Sequence, residues 1–166
     1  MKIANTSYLI TIFLTLSLPL SYSNFSLSCK PNLDKIVEDE FQKEISVSAP
    51  PELEINISQG NINITRGNDK EIKISSRFKV LGTNEEEIKL SAEKIKKDPP
   101  IDIKNNKIKI GNLKKYNIDG WFSKNKVVID LDIYAPVKTT VTAETGIGNI
   151  NVISFGSNVK AKTGLG

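Results

Sequence analysis

A short repeat at the C-terminal end of the chain restricts its fold more than any other feature. Residues 145–148 (Thr-Gly-Ile-Gly) return as residues 163–166 (Thr-Gly-Leu-Gly), eighteen positions later. Between these copies, residues 149–152 and 158–161 alternate polar and apolar side chains, the pattern of strands with one buried face. One such unit of strand, bend, strand and bend cannot bury its apolar face alone, so it should stack on a similar unit. The alternative is an ordinary hairpin with Gly-rich turns.

An earlier copy of the unit favours stacking. Residues 60–64 (Gly-Asn-Ile-Asn-Ile) match residues 148–152 (Gly-Asn-Ile-Asn-Val), and an Ala-Pro pair precedes each copy, at 49–50 and 135–136. We also match the turn at 66–69 and the run 71–74 with the turn at 155–157 and the run 158–161. The sequence therefore predicts one module used twice. Its bends require glycine, and we assign this role to five residues: Gly60, Gly146, Gly148, Gly156 and Gly164.

The whole chain is predicted to be mainly β, as a β-solenoid-like or sandwich-like stack of strands with one helical insert at about 84–95. Thr83 with Glu86 is a candidate capping box. Three apolar residues then follow at helical spacing: Ile88, Ala92 and Ile95. Two prolines at 99–100 should end the helix.

Two further strand patterns carry structural or chemical predictions. Residues 101–103 and 107–110, joined by Asn105-Asn106, predict a hairpin. Residues 127–134 alternate cleanly, with odd positions facing in and Asp130 and Asp132 facing out. Such a carboxylate pair suits acid–base chemistry or calcium, but no third ligand or partner acid accompanies it, so we favour ordinary solvent-facing aspartates.

The N-terminal region predicts export. Lys2 precedes a thirteen-residue, largely apolar run that ends at Leu20, and small polar residues follow, as in a secretory signal. We predict a signal peptide over residues 1–23, or 1–28 in a lipoprotein, then a flexible lead over 24–40 and the β-strand-repeat domain over 41–166. Cys29 is either a lipidation site that anchors the protein to a membrane or a free thiol near the mature terminus.

Composition argues against several classes of site. The chain has no histidine and one cysteine, so it lacks the commonest general base and a cysteine-based zinc site. Its net charge of +4 is too small to indicate nucleic-acid binding. We therefore predict no cofactor, no metal site and no catalytic residues.

The order of these motifs resembles the bacterial exported β-strand-repeat domains labelled as adhesins. Members of that family carry Gly-Asp-Ile-x-Val where this chain has residues 60–64 and 148–152, and a Pro-ended strand before the coils, as at Ala135-Pro136. Asn replaces Asp in both units. The likeness covers residues 41–166. It implies a solenoid-like or sandwich-like domain in the cell envelope and no agreed chemistry.

From these features we predict a non-enzymatic, exported cell-envelope protein that acts in adhesin-like binding or as a scaffold for an envelope or host-surface ligand. It would reside in the outer membrane as a lipoprotein, in the periplasm or on the cell surface. The alternatives are an envelope-stress sensor that binds a peptide or lipid and, less favoured, a polysaccharide-active β-helix enzyme. Because residues 163–166 repeat the start of the preceding coil, we predict either a C-terminally incomplete domain or edge-to-edge association with another chain at the last coil.

Overall fold

The computed structural model describes residues 35–116 and 125–166. The predicted signal peptide and Cys29 lie outside this part of the chain. The described residues form ten strands, one α-helix and one short 3-10 helix at Leu113–Tyr116. The helix α1 spans Glu85–Lys97, and the strands are β1 (Lys35–Ser46), β2 (Glu52–Gln59), β3 (Ile62–Arg66), β4 (Glu71–Gly82), β5 (Ile101–Lys104), β6 (Lys107–Ile110), β7 (Lys126–Ala135), β8 (Thr140–Ile147), β9 (Ile150–Ile153) and β10 (Val159–Leu165).

The strands form two mixed five-stranded sheets, neither of which is closed, and this confirms the prediction of a mainly β protein. In sheet A the strand order is β1-β4-β7-β3-β9. In sheet B it is β10-β8-β2-β6-β5. One hydrophobic core contains side chains from both sheets and from α1, because the long internal strands β4 and β7 bury alternate residues, most of them apolar.

Strand β7 has the predicted register. Its odd-numbered residues, from Val127 to Ala135, are buried, and Asp130 and Asp132 lie on the outer face. The predicted hairpin is also confirmed, since β5 and β6 pair antiparallel through a turn in which Asn105 has a φ of 55°. Asparagine tolerates this left-handed conformation better than most residues.

The helix lies almost where predicted, but its N-cap does not. The side chain of Asn84, not Thr83, accepts hydrogen bonds from the backbone N–H groups of Glu86 and Glu87. The capping-box prediction was therefore wrong by one residue. Ile88, Ala92 and Ile95 are buried, and α1 packs against β1 and β4 of sheet A.

The prediction of a flexible lead up to residue 40 was wrong for residues 35–40. They form the first half of β1, which pairs with β4 along its full length. The segment is polar because β1 is an edge strand and is exposed along most of its length, so it lacks the apolar alternation that marks an internal strand.

The repeats pair in parallel and in register. Strand β2 pairs with β8, and β8 with β10, so that Ile57, Thr145 and Thr163 lie side by side in sheet B. In sheet A, β3 pairs with β9, and Asn63 lies beside Asn151. The matching segments 60–64 and 148–152 therefore lie side by side in the structure.

The second half of the matched module is different. We equated residues 71–74 with 158–161, but β4 remains in sheet A, antiparallel to both β1 and β7, whereas β10 crosses to sheet B and lies parallel to β8. The connections after β3 and β9 also differ. After β9, Ser154 adopts a φ of 65°, while the connection after β3 passes over the end of β7, where the Gly67 N–H donates to the Ala135 carbonyl.

Candidate functional site

A column of glycines and threonines joins the repeated units at their bend. The Thr145 hydroxyl donates to the Gly60 carbonyl at 3.1 Å, and the Thr163 hydroxyl donates to the Gly148 carbonyl at 2.9 Å. Each threonine of the Thr-Gly-x-Gly repeat thus fastens its own unit to the preceding one. Sequence analysis gave these threonines no role, although their recurrence with the glycines was the available signal.

The predicted bend glycines fall into two groups. Gly148 has a φ of 139°, and a Cβ there would lie 2.1 Å from the Gly60 carbonyl oxygen. A Cβ would likewise meet backbone at Gly60, Gly146 and Gly164, so four of the five assignments have a steric basis. Gly156 does not: a Cβ would make an ordinary 3.7 Å contact with Val137.

One bend glycine was missed. Gly111 has a φ of 107° and leaves space for a Cβ only 1.9 Å from the Asn56 carbonyl oxygen. It ends β6 beside β2, and nothing in the local sequence distinguishes it from a glycine in an open turn.

Beside this column, the outer face of sheet A carries six amide and carboxylate side chains, which we call the amide ladder: Asn61, Asn63, Asp130, Asp132, Asn149 and Asn151. Asn61 donates its backbone N–H and its side-chain amide to Asp130, both at 2.9 Å, and accepts from the Asn149 N–H at 3.1 Å. Asn63 donates to Asp132 at 3.0 Å. The two aspartates therefore hold neighbouring strands together.

The chemistry of the two aspartates is limited by this arrangement. Among the described residues, no group of three or more Asp, Glu, Cys or His side chains is placed to hold a metal ion. The remaining residues on the ladder are neutral amides. An open groove of about 500 Å³ lies elsewhere, beside the β5–β6 turn, and its Lys107 is paired with Glu54 at 2.7 Å.

The last strand has an open edge. β10 ends sheet B, and all seven of its residues are exposed, on both faces. Val159 and Leu165 are 44% and 69% exposed, although they lie beside Val141 and Ile147 of β8 in the register. We call the outer side of β10, together with this uncovered apolar face, the β10 edge. Large exposed apolar residues also occur nearby at Ile147 and Ile153.

The other three sheet edges are protected in recognisable ways. Strands β5 and β9 contain only four residues each. β1 is long, but Asp39 and Lys43 alternate with Val37, Phe41 and Ile45 on its inner side, and inward charges discourage pairing. Asp39 accepts a hydrogen bond from Lys96 of the helix at 2.9 Å, and this bond lowers the pKa of Asp39.

The outer face of sheet B pairs opposite charges across strands. Lys107 and Lys109 of β6 both contact Glu54 of β2, at 2.7 and 3.2 Å. Both lysines lower the pKa of the Glu54 carboxyl, and the hydrogen bond from Lys107 has the larger effect. On β10 the corresponding positions hold Lys160 and Lys162, and neither forms a salt bridge to another described residue.

Comparison with known proteins adds no assignment: no protein-family model, curated protein or solved structure matches the chain. Within the described residues, no helix is long and apolar enough to cross a membrane.

Proposed function

We propose that this protein is a non-enzymatic, exported cell-envelope protein with an adhesin-like binding or scaffold role, and that it makes its contact through the β10 edge. The observation that carries the proposal is the exposure of a seven-residue edge strand on both faces, next to strands β8, β2 and β6, each of which buries one face. Strand addition to such an edge is an established mode of protein recognition, because backbone hydrogen bonds supply affinity and side-chain positions supply specificity.

The architecture suits this role. We propose that β2–β3 and β8–β9 are two coils of a β-solenoid-like stack and that β10 begins a third. The in-register parallel pairs and the Thr–Gly hydrogen bonds between units support this. In such a stack each unit pairs with the preceding one along one edge and leaves an equivalent edge free for the next. A partner strand on β10 would continue the stack.

A catalytic role has less support. The side chains most suited to acid–base work on the repeated units, Asp130 and Asp132, accept hydrogen bonds from Asn61 and Asn63. A polysaccharide-active enzyme would need an acid and a base that face a common substrate position. The amide ladder offers neutral amides around both carboxylates instead.

The proposal is tested by site-specific photo-crosslinking in bacterial cells that express the full chain with its own leader. A photo-reactive amino acid at position 162 should give a discrete adduct from the envelope fraction. The matched control carries the same group at Lys79, on the outer face of sheet A, and should give none. Ala161→Pro should abolish the adduct from position 162, because it removes a backbone N–H from the free side of β10.

Three results would contradict the proposal: equal adducts from positions 162 and 79, an adduct that survives Ala161→Pro, or recovery of the chain in the cytoplasm with its first residues intact. Glycan cleavage by the purified protein that is lost in Asp130→Asn would contradict the non-enzymatic role. Thermal unfolding of the Ala161→Pro variant checks that the fold is retained.

A further inference from the structure

We infer that the β10 edge selects an extended partner segment in which aliphatic residues alternate with Asp or Glu. The inference rests on the proposed function, because it names the chemical class of partner for the same edge. Three properties of β10 carry it: the direction of its backbone groups, the residues on its inner face and the charge on its outer face.

The backbone of β10 offers hydrogen bonds at alternate residues. The Asn158 carbonyl accepts from the Val141 N–H of β8 at 2.9 Å. Since backbone groups of successive strand residues point to opposite sides, Lys160 and Lys162 also direct their N–H and C=O groups toward β8. The N–H and C=O groups of Ala161 and Thr163 therefore point to the free side, where an added strand would pair with them.

The inner face of β10 requires aliphatic partners. Val159 continues the row of Leu53 and Val141, and Ala161 continues the row of Ile55 and Ala143. Leu53, Ile55, Val141 and Ala143 are at most 1% exposed, whereas both β10 residues are exposed. A neighbouring strand with aliphatic residues at these positions would remove apolar surface from water, while polar residues there would not.

The outer face of β10 requires acidic partners. Lys160 lies beside Thr142 and Lys162 beside Glu144 of β8. On the other side of β10, where an added strand would lie, neither lysine has a neighbour among the described residues. The same sheet satisfies Lys107 and Lys109 with a glutamate on the adjacent strand. Acidic residues opposite Lys160 and Lys162 would repeat that arrangement, because opposite charges across strands stabilise pairing and like charges oppose it.

A second copy of the chain fits the edge poorly. Two β10 strands paired antiparallel about Ala161 would bring Lys160 of each beside Lys162 of the other, and parallel pairing in register would place each lysine beside its own counterpart. The β1 strand of a second copy has an acidic outer face, with Glu38, Glu40 and Glu44, but it would direct Asp39 and Lys43 toward the apolar face. The edge therefore favours a segment other than β10 or β1 of a second copy.

The experiment compares two end-capped peptides as probes, Val-Glu-Val-Glu-Val-Glu-Val and Val-Lys-Val-Lys-Val-Lys-Val, titrated into the full folded chain and followed by NMR shifts of the β10 amides. The glutamate peptide should bind roughly tenfold more tightly than the lysine peptide, from two charge pairs gained against two repulsions. In the double variant Lys160→Glu, Lys162→Glu the preference should reverse. A matched variant, Lys107→Glu with Lys109→Glu on β6, should keep the original preference.

The outcomes separate the partner class from the proposed function. If Ala161→Pro abolishes crosslinking in cells but both peptides bind equally well, the charge selectivity is wrong and the edge remains the contact site. If neither peptide shifts the β10 amides, or if the shifts centre on β1 or β5, the inferred partner is wrong. Sedimentation of the protein alone as a dimer that dissociates in Ala161→Pro would assign the edge to a second copy and overturn the inference.

Discussion

Replacing Gly148 with alanine should destabilise the protein by several kcal/mol. Gly148 has a φ of 139°, which costs an L-residue about 1–3 kcal/mol in strain. The new Cβ would lie 2.1 Å from the Gly60 carbonyl oxygen, so the bends of two units must separate by roughly 1 Å to restore normal contact. That separation weakens the two hydrogen bonds on either side, Gly60 N–H to Ile147 and Ile62 N–H to Asn149, both at 2.9 Å.

Each of these hydrogen bonds is worth about 0.5–1.5 kcal/mol. Together with the backbone strain, the expected loss in the free energy of unfolding is about 2–6 kcal/mol. Since small proteins have urea m-values of about 1–3 kcal/mol/M, the urea midpoint should fall by about 0.7 M or more. Equilibrium urea unfolding followed by circular dichroism measures this shift.

Gly156→Ala is the matched control. Its Cβ would make only a 3.7 Å contact, and its φ lies outside the left-handed region, so this change should leave stability unchanged or raise it by about 0.4–1 kcal/mol. Equal losses in the two variants would refute the argument, since both exchange a glycine for an alanine in the same part of the chain. A normal midpoint for Gly148→Ala would show that the bends are not in contact.

Three further changes test other parts of the structure. Leu131→Ala, in the core of β7, should cost about 2–5 kcal/mol by urea unfolding, whereas Asp130→Ala should cost about 1 kcal/mol for its hydrogen bonds to the neighbouring strand; equal costs would reject the register. Ser76→Ala should be neutral or stabilise the fold by up to about 1 kcal/mol, because the buried hydroxyl has no hydrogen-bond partner; a loss above this range would show that it has one. The hydrogen bond from Lys96 lowers the pKa of Asp39 in the folded protein below the ordinary 3.8 of the unfolded chain. The ionised Asp39 therefore stabilises the fold above pH 3.8, and this contribution is lost as the pH falls through the lowered pKa. Asp39→Asn should therefore lose less stability than the parent protein between pH 5 and pH 2, and an identical loss in both would place the Asp39 carboxylate away from Lys96.

The sequence predicted those parts of the fold that depend on neighbouring residues. The alternation of residues 127–134, the Asn105-Asn106 turn and the spacing of Ile88, Ala92 and Ile95 were each sufficient to define one element. The match of residues 60–64 with 148–152 also located a long-range pair, because repeated units stack on one another.

Long-range partners without a repeat could not be predicted. The runs 71–74 and 158–161 have the same alternation, yet β4 and β10 lie in different sheets, because a period of two defines which face is buried and not which strand lies alongside. The edge strand β1 has apolar residues on its inner side only at every fourth position, Val37, Phe41 and Ile45, so it lacks the period-two pattern of an internal strand. The position of the β10 edge was predicted from the repeat. The role proposed for its lysines could not be predicted, because it depends on the register of β10 against β8.

The place of β7 in sheet A has a consequence for folding. β7 lies between β4 and β3, antiparallel to one and parallel to the other, although it follows both in the chain by more than forty residues. During synthesis, β1 and β4 can pair as soon as they emerge, and β2 can pair with β6, but β3 has no neighbour in its sheet until β7 arrives. Contacts of such large sequence separation slow folding, because the loop must be closed before any pairing energy is gained. A chain made from its N-terminal end would thus leave sheet A open through its centre until β7 is available, a delay that would suit the export proposed above.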